Sequence, residues 1–343
     1  MEEVETVGER NAKFGLTLPN RGVITGATTM DEMLTLAQMA DKEPIWDSVW
    51  VGDSILAKPR LDAIALLGAL AVKTERVKLG PACFASAPLR NALLLAYQWA
   101  SLDYMSGGRT IFVACQGQAA AGRGGNFANE FAAFGIDPSS RMRRMEEAVE
   151  IMRLLTSEEE ANYEGEYNRF ENVTVLPRPV QQPVPIWLVA NPDPAKKRNV
   201  ETSLRRVVRL ADGWQTTWNT PESFAQHLST IKGYAGEEGR DLGDDFEACL
   251  YYNINVGEDR EAALDEAKRF LDAYYYTDYD RERLKRWVAY GSPEECVEQI
   301  RAFIEAGATT VTLRMAAYDQ KGQFERVTRE VLPALQSTFS REP

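Results

Sequence analysis

Histidine is nearly absent from this 343-residue sequence, and its scarcity excludes several kinds of catalytic site. The one histidine, His227, lies in the helix-like pattern FAQHLSTI, far from any predicted strand end, and we interpret it as an ordinary helix residue. Ser-His-Asp and Cys-His catalytic groups both need a histidine at the active site, so neither is expected. A metal site built from histidines is excluded by count, and no metal is expected.

Cysteine and positive charge are also scarce. The four cysteines, Cys83, Cys115, Cys249 and Cys296, include no CxxC pair, so neither a structural zinc site nor a disulfide framework is expected. Lys and Arg number 39 against 51 Asp and Glu, and the net charge of −12 disfavours nucleic acid or an anionic membrane as a partner. The acidic N-terminus is unlike a signal peptide, and no apolar run approaches the roughly 18 residues that span a bilayer. We therefore expect a cytoplasmic protein.

Short apolar runs alternate with longer segments of helical periodicity, which is the pattern of repeated βα units. The eight predicted strands are Phe14–Leu18, Ser48–Gly52, Val77–Cys83, Thr110–Cys115, Pro185–Ala190, Gly213–Thr217, Ala248–Val256 and Thr310–Met315. The predicted helices are Met30–Asp41, Asp62–Lys73, Ala92–Met105, Arg141–Leu155, Val200–Leu210, Pro221–Ala235, Arg260–Ala273, Pro293–Ala306 and Gln323–Leu335. This pattern favours an α/β fold of the (β/α)8, or TIM, barrel type over a doubly wound open sheet. No linker divides residues 1–343, so a single domain is expected.

Three segments are longer than a βα unit requires. Gln116–Ser140 follows the fourth strand, Thr156–Pro185 follows the fourth helix, and the tyrosine-rich Tyr274–Gly291 lies beyond the seventh strand. In a barrel the loops that follow the strands form the mouth, where active sites lie. We therefore predict insertions after strands 4 and 7 that form walls of a site.

The residues at the predicted carboxyl ends of the strands are mostly small or neutral. They are Asp53, Ser54, Ala82, Cys83, Cys115, Gln116, Gly117, Ala190, Asn191, Thr216, Thr217 and Arg314. Such a rim suits a flat heteroaromatic ring with a few hydrogen-bond donors around its polar edge. It offers little acid–base capacity, so a cofactor is expected to supply the reactivity.

Six segments of the sequence resemble the bacterial luciferase-like family of flavin-dependent oxidoreductases. They are SVWVGDS (48–54), TERVKLGPACFASAPLRNALLLAYQWASLDYMSGGR (74–109), EFAAFGIDPSSRMRRMEEAVEIMRLL (130–155), PVPIWLVANP (183–192), RRVVRLADGW (205–214) and GSPEECVEQIRAFIEAGATTVTLR (291–314). Together they cover most of the chain in the family's order. The resemblance implies a (β/α)8 barrel with a flavin ring at its mouth. The ring would belong either to reduced FMN, which serves oxygen activation, or to the deazaflavin coenzyme F-420, which serves hydride transfer.

The resemblance also implies cofactor-binding positions. Ala82–Cys83 matches a third-strand position where a non-proline cis peptide often lies behind the ring; the alternative is a plain buried strand end. Cys115, Gln116 and Gly117 match the fourth-strand position that borders the ring, although Cys115 could be a small core residue. Ala190 and Asn191, at the end of the fifth strand, complete the expected ring site.

The loop after the fifth strand departs from the family. It reads NPDPAKKRNVETSLRR, where many relatives carry a turn rich in Gly and Ser that holds the cofactor phosphate. Thr202 and Ser203 stand about where those donors should be, with Lys197 and Arg198 beside them, and a helix N-terminus favours an anion. The alternative is a helix cap with solvated charges.

Asp53, Ser54 and Arg314 are the predicted catalytic residues. Several deazaflavin-dependent dehydrogenases of the family carry Asp-His where this chain carries Asp53 and Ser54, so simple alcohol dehydrogenation is in doubt and FMN monooxygenation is favoured. Asp53 could instead cap the segment that follows it. Arg314 is expected to anchor an anionic substrate or the flavin edge, with a buried structural salt bridge as the alternative.

These inferences predict a two-component monooxygenase that uses reduced FMN and O2 on a small organic substrate, with a separate flavin reductase as its partner. The alternative is a hydride-transfer oxidoreductase that depends on the deazaflavin coenzyme F-420. A second alternative is a non-catalytic flavin-binding paralogue. Family members are often dimers, and the apolar segment ALLLAYQWASL (92–102) could supply an interface or simply core, so a homodimer is expected.

Overall fold

Short, buried, parallel strands form the centre of the molecule, as is typical of a sheet covered by helices. The computed structural model describes residues 12–118, 124–192 and 196–336. The strands are β1 (Lys13–Leu18), β2 (Ser48–Val51), β3 (Lys78–Pro81), β4 (Phe112–Ala114), β5 (Ala161–Glu164), β6 (Arg169–Val173), β7 (Ile186–Val189), β8 (Gly213–Thr216), β9 (Glu247–Val256), β10 (Val288–Gly291) and β11 (Thr310–Met315). Eight of them form a parallel sheet in the order β3-β2-β1-β11-β9-β8-β7-β4, and β10 pairs with β9 beside it.

Backbone hydrogen bonds join the two ends of this sheet, β3 and β4. The amide of Leu79 donates to the carbonyl of Arg109 at 2.8 Å, and the amide of Ile111 donates to the carbonyl of Leu79 at 2.9 Å. Further along, the amide of Phe84 donates to the carbonyl of Val113 at 2.7 Å. These bonds cover the sheet edges and nearly close the barrel. The predicted (β/α)8 barrel is confirmed.

Helices cover the outside of the barrel. They are α1 (Gly22–Thr25), α2 (Met30–Lys42), α3 (Ala63–Lys73), α4 (Ala92–Ser106), α5 (Phe127–Ala133), α6 (Arg141–Ser157), α7 (Lys197–Leu210), α8 (Pro221–Glu237), α9 (Arg260–Tyr275), α10 (Arg281–Leu284), α11 (Pro293–Glu305), α12 (Gln320–Arg326) and α13 (Leu332–Gln336). Polar caps fix several starts: Thr29 and Glu32 form a capping box on α2, and Asp62 accepts two amide hydrogen bonds at the start of α3. None of the described helices has the length and apolar composition that a bilayer crossing requires.

The barrel interior contains its own packed layer. The rings of Trp50 and Trp187 lie 5.4 Å apart and pack with Ile111, Val113 and Cys249. Ala82, Cys83 and Val189 lie against this layer at its upper side and are only partly buried. The interior core thus forms a rigid support under the carboxyl ends of the neighbouring strands.

The structure contains elements that the sequence analysis treated as loops. Inside Thr156–Pro185, β5 and β6 form an antiparallel hairpin, and the buried carboxylate of Glu147 accepts hydrogen bonds from the amides of Glu166 and Tyr167 in its turn. Alternating apolar residues are few in these two strands, so periodicity did not reveal them. In the segments after the fourth and seventh strands, the structure adds α5, α10 and β10.

Candidate active site

The carboxyl ends of the barrel strands surround a cavity of about 850 Å³. All these ends meet at one mouth because the strands are parallel. Nine of the twelve predicted site residues line the cavity: Asp53, Ser54, Ala82, Cys83, Cys115, Gln116, Gly117, Asn191 and Arg314. The alternation of strands and helices therefore located the mouth correctly.

Thr202 and Ser203 do not lie where the sequence analysis placed them. α7 begins earlier than predicted, so both residues lie inside the helix rather than at its N-terminus, and neither lines the cavity. The hydroxyl of Thr202 donates to the carbonyl of Arg198 at 2.8 Å, and that of Ser203 donates to the carbonyl of Asn199 at 2.6 Å. Both hydroxyls thus bond within their own helix. Residues 193–195 of the preceding loop lie outside the described residues.

Ala190 and His227 are absent from the cavity lining. Ala190 is buried, and its carbonyl accepts a hydrogen bond from the indole of Trp214 at 2.9 Å. His227 is buried on α8, with its ring edge-on to that of Trp214 at 6.2 Å. Burial lowers the pKa of His227, as expected for a neutral imidazole packed in the core. The interpretation of His227 as an ordinary helix residue is consistent with this position.

One side of the cavity is small and uncharged, and we call it the neutral wall. It consists of Ala82, Cys83, Cys115, Gly117, Val189 and Asn191. Gly117 adopts a φ of +64°, and a Cβ at this position would lie 2.7 Å from the carbonyl oxygen of Ala85. Only glycine combines this positive φ with so close an approach to the Ala85 carbonyl without strain, so the backbone itself forms part of this wall.

The fold brings Cys83 and Cys115 together, although 31 residues separate them in the sequence. Their sulfur atoms lie 2.7 Å apart at the ends of neighbouring strands, and both thiols are free. The hydrogen bond with Cys115 and burial raise the pKa of the Cys83 thiol well above its usual value. Cys83 is therefore protonated at neutral pH and contributes polarisable, uncharged surface.

The peptide bond between Ala82 and Cys83 is trans, and the expectation of a cis bond here is wrong. Within the described ranges, the only cis bonds precede Pro177 and Pro183. The amide of Ala82 donates to the carbonyl of Val51 at 2.7 Å, so the backbone continues the ordinary ladder of β2 and β3 past the end of the strand. A regular ladder needs the extended trans chain.

Asn191 is fixed by the residues that follow β8. Its Oδ1 accepts hydrogen bonds from the hydroxyl of Thr216 and from the amide of Thr217, both at 2.8 Å. Asn219 in turn donates to the hydroxyl of Thr216 at 2.6 Å. This network holds a neutral amide group at the end of the fifth barrel strand.

Asp53 is engaged by the protein and has little freedom to act as a base. Its Oδ2 accepts a hydrogen bond from the amide of Ser86 at 2.7 Å, and the guanidinium of Arg90 lies 3.8 Å from its Oδ1. Burial raises the pKa of Asp53, while the contacts with Ser86 and Arg90 oppose the rise. The neighbouring Ser54 hydroxyl accepts a hydrogen bond from the amide of Lys58 at 3.0 Å. Both side chains thus organise the loop after β2.

The remaining rim is aromatic and cationic, and sequence reasoning missed Lys58, Arg60, Trp218 and Tyr251 in it. Its aromatic residues are Trp218, Tyr251, Tyr275, Tyr279 and Trp287, and its cations include Lys58, Arg60 and Arg314. Tyr275, Tyr279 and Trp287 come from the predicted aromatic insertion after the seventh strand. Lys58 and Arg60 follow β2 in the sequence KPR, which a closer look at that strand end could have suggested.

Arg314 is almost completely buried and lies among tyrosines. Its Nη1 donates to the hydroxyl of Tyr275 at 2.6 Å, and that hydroxyl also shares a hydrogen bond of 2.9 Å with Tyr251. The guanidinium carbon lies 4.3 Å from the ring centre of Tyr274. Across residues 12–118, 124–192 and 196–336, Arg314 has no carboxylate within ion-pair distance, so the alternative of a buried salt bridge is not supported.

A parallel barrel whose mouth combines a neutral wall with an aromatic and cationic rim, and has few groups free for acid–base chemistry, indicates an enzyme that takes its reactivity from a cofactor. Comparison with known proteins agrees with this class. A family model described as Luciferase-like monooxygenase matches residues 12–310. The chain belongs to this family, and the resemblance inferred from its motifs is confirmed.

Curated relatives align along most of the chain. The F420-dependent glucose-6-phosphate dehydrogenase of Amycolatopsis mediterranei (strain U-32) is 24% identical over 319 residues, which cover 85% of this chain and 90% of the relative. The enzyme of the same name from Intrasporangium calvum is 26% identical over 296 residues, which cover 80% of this chain and 84% of the relative.

Solved structures share the fold. An F420-dependent secondary alcohol dehydrogenase in complex with an F420-acetone adduct superposes with a TM-score of 0.76 at 19% identity, covering 95% of this chain and 99% of that one. The monooxygenase RslO1 from Streptomyces bottropensis gives a TM-score of 0.74 at 22% identity, covering 94% and 99%. At such identities the likeness shows the fold alone.

The expectation of a two-component FMN monooxygenase is wrong. The curated relatives described above, which match most of the chain, are named as F420-dependent dehydrogenases, and solved neighbours include F420-dependent enzymes. The replacement of a histidine by Ser54 carried too much weight, because it says only that one proton-transfer group is missing. The findings favour the deazaflavin alternative.

Proposed function

We propose that this chain is a deazaflavin-dependent oxidoreductase that transfers a hydride between the coenzyme F-420 and a small organic substrate at the alcohol or carbonyl level. The observation that carries the proposal is the match, along most of the chain, to curated relatives named as F420-dependent dehydrogenases. The proposal does not extend to their sugar phosphate, because the relatives are only 24%, 26% and 25% identical to this chain.

The residues at the mouth fit a flat ring with a polar edge. The cavity of about 850 Å³ has the size of a cofactor site, and the neutral wall presents no charge to the ring. Gln118 lines the same cavity, and its buried Oε1 has no hydrogen-bond partner in the described part of the chain. A buried acceptor of this kind would be satisfied by a ring N–H. Ala82, Cys83 and Cys115 would contact the ring, and Gln118 and Asn191 would hold its edge.

A bound deazaflavin supplies a two-electron hydride donor or acceptor. When a carbonyl is reduced, its carbon receives the hydride and its oxygen must receive a proton. Tyr275 lines the cavity, and its hydroxyl is the proton donor in this proposal. Arg314, whose Nη1 lies 2.6 Å from that hydroxyl, stabilises the phenolate left behind, and Tyr251 holds its orientation at 2.9 Å. Alcohol oxidation returns the proton along the same path.

Parallel titrations of the purified chain with F-420 and with FMN test the proposal. We expect F-420 to bind at least about tenfold more tightly than FMN, which corresponds to about 1.4 kcal/mol. A panel of alcohols and carbonyl compounds, followed by the visible absorbance of the coenzyme, then identifies turnover. Tighter binding of FMN, or no binding of F-420, would contradict the proposal.

A variant separates the role of Tyr275 from ring binding. Tyr275→Phe should lower kcat by about 10²–10⁴-fold, the contribution usual for general acid–base catalysis, while the affinity for F-420 stays unchanged. Tyr279→Phe keeps an aromatic ring in the same wall and serves as the control, because no hydrogen bond from its hydroxyl is needed in this scheme. Equal loss in both variants would remove Tyr275 from the proton-transfer step.

A further inference from the structure

Four cationic side chains gather at the carboxyl ends of β1, β2 and β11, and we call them the cationic cluster: Arg21, Lys58, Arg60 and Arg314. Lys58, Arg60 and Arg314 line the cavity, and Arg21 is fully buried close to them. Burial, and after it the charges of Arg60 and Arg21, lower the pKa of Lys58, which shows that these cations lie within electrostatic reach of one another. Such a gathering is unexpected in a chain with a net charge of −12.

The three arginines of the cluster have no carboxylate partner among the residues that the structure describes. The guanidinium nitrogens of Arg21 all lack a hydrogen-bond partner there, and so does the Nε of Arg314. Arg60 bonds through its Nε to the carbonyl of Lys58 at 3.1 Å. Arg21 and Arg314 are buried, and unpaired buried cations are costly to a fold, so their retention points to a negative group that is supplied from outside the chain.

Tyrosine rings offset only part of this cost. The guanidinium carbon of Arg21 lies 3.4 Å from the ring centre of Tyr276, and that of Arg60 lies 5.7 Å from the ring centre of Tyr274. The ammonium of Lys58 lies 4.9 Å from the ring centre of Tyr275. A ring face attracts a cation but cannot neutralise it, so the positive potential at the cavity persists.

The acidic residues that line the cavity are engaged elsewhere. Asp53 is held by Ser86 and Arg90, as described above. Asp278 pairs with Lys268, and Asp280 caps α10 through the amide of Arg283 at 2.8 Å. Among the residues that the structure describes, the carboxylates of the cavity lining therefore form no ion pair with Arg21, Arg60 or Arg314.

We propose that Lys58 and Arg60 bind an anionic group of the substrate, a carboxylate, sulfonate or phosphate, while the apolar part of that substrate lies against Tyr275, Tyr279 and Trp287. This inference rests on the proposed function, since it names the substrate class of the same cavity. Arg21 and Arg314 add to the positive potential. The anion thus anchors one end of the substrate and leaves its reacting carbon beside the neutral wall and the hydroxyl of Tyr275.

Calorimetric titration of the full-length chain with inorganic phosphate and with benzoate, each in the presence and absence of F-420, tests the inference. The variants are Arg60→Met and Lys58→Met, with Arg60→Lys to restore the charge. Arg169→Met, on the exposed β5–β6 hairpin, is the matched control. Circular dichroism verifies that each variant is folded.

We expect the wild type to bind at least one of the anions and Arg60→Met to bind it at least about tenfold more weakly. Arg60→Lys should recover part of the loss, and the control should match the wild type. Absence of anion binding by the wild type, or equal binding by Arg60→Met, would overturn the inference. It would also be overturned if phosphate competed with F-420 and Arg60→Met lost affinity for the coenzyme, because the cluster would then hold the coenzyme phosphate. If F-420 fails to bind at all, the proposed function fails, and the titrations without coenzyme still decide the anion site.

Discussion

The carboxylate of Glu130 lies 2.7 Å from the backbone nitrogen of Leu56 and accepts its hydrogen bond. The same oxygen accepts hydrogen bonds from the amides of Ile55 and Ala57 at 3.0 and 3.1 Å. Glu130 belongs to α5, in the insertion after the fourth barrel strand, and its side chain is buried. The insertion thereby fixes the turn that follows β2 and carries Lys58 and Arg60 into the cavity.

Replacement of this carboxylate should loosen the turn. Glu130→Gln keeps the size of the side chain but removes the charge that strengthens three hydrogen bonds, so we expect the free energy of unfolding to fall by about 1–3 kcal/mol. The KM for an anionic substrate should rise more than kcat falls, because the cationic side chains lose their position. Urea unfolding and steady-state kinetics measure the two effects. The exposed Glu164→Gln is the control, and identical unfolding curves for both variants would refute the role of Glu130.

Arg109, which follows α4, binds the backbone of the connection between α3 and β3 and, through its Nε, the carbonyl of Ser106 at the end of α4. Its Nη1 donates to the carbonyl of Val77 at 2.8 Å, and its Nη2 donates to the carbonyls of Ala71 and Thr74, both at 2.9 Å. Lysine cannot reproduce this planar fork, so Arg109→Lys should lower the free energy of unfolding by about 2–4 kcal/mol. Urea denaturation measures the change. Arg169→Lys should stay within about 0.5 kcal/mol of the wild type, and a similarly small effect at Arg109 would count against this account.

Gly117 should be required for cofactor binding as well as for the backbone of the neutral wall. In Gly117→Ala the new methyl group would lie 2.7 Å from the carbonyl of Ala85 at a φ of +64°. We expect a stability loss of about 1–2 kcal/mol and at least about a tenfold loss of affinity for F-420. Gly68→Ala, in α3 with no atom within 4 Å of the added methyl, is the control and should be neutral or slightly stabilising. Wild-type affinity in Gly117→Ala would refute the proposed ring position.

Periodicity predicted the barrel because strands and helices have different repeats and parallel strands end at one mouth. Asn191 and Arg314 were therefore placed correctly from their positions alone. Lys58 and Arg60 were missed because the path of their loop depends on Glu130, which lies more than 70 residues away in the sequence. Cys83 and Cys115 were assigned to the ring separately, but their contact depends on the pairing of β3 and β4 at the point where the barrel closes.

Thr202 and Ser203 were placed wrongly because the start of a helix is hard to predict from sequence. Their position relative to the helix start decided whether their hydroxyls could bind a phosphate, and helix ends are the least certain feature of a sequence pattern. The residues before them are compatible with a helix, so α7 begins at Lys197 and both hydroxyls turn to their own backbone. A motif carried over from the family thus failed where the loop sequence itself had changed.

The charge on Lys58 should make the free energy of unfolding depend on pH, and comparison with Lys58→Met isolates this dependence. Burial, together with the charges of Arg60 and Arg21, lowers its pKa from 10.5 to about 8, while the unfolded chain keeps the ordinary value. Below a pH of about 8, Lys58 is charged in both states and the full cost of burying its charge is present. Between about 8 and 10.5 the unfolded state binds more protons than the folded state, so the contribution of Lys58 to stability rises with pH. Relative to Lys58→Met, the wild type should therefore gain about 1–3 kcal/mol as the pH is raised from about 7 to about 10.

The wild type and Lys58→Met share every titratable group except Lys58 itself, so the titration of the shared groups largely cancels in the difference. The rings of Tyr275 and Phe127, whose centres lie 4.9 and 5.4 Å from the Lys58 ammonium, are present in both proteins. Guanidinium unfolding of the two proteins at a series of pH values measures this difference. Lys285→Met, which removes an exposed lysine paired with Glu282, is the control and should give a difference that stays flat up to about pH 9, since its pKa is raised rather than lowered. If the difference in the free energy of unfolding between the wild type and Lys58→Met does not change with pH, the pKa of Lys58 is not lowered in the folded protein and the prediction is wrong.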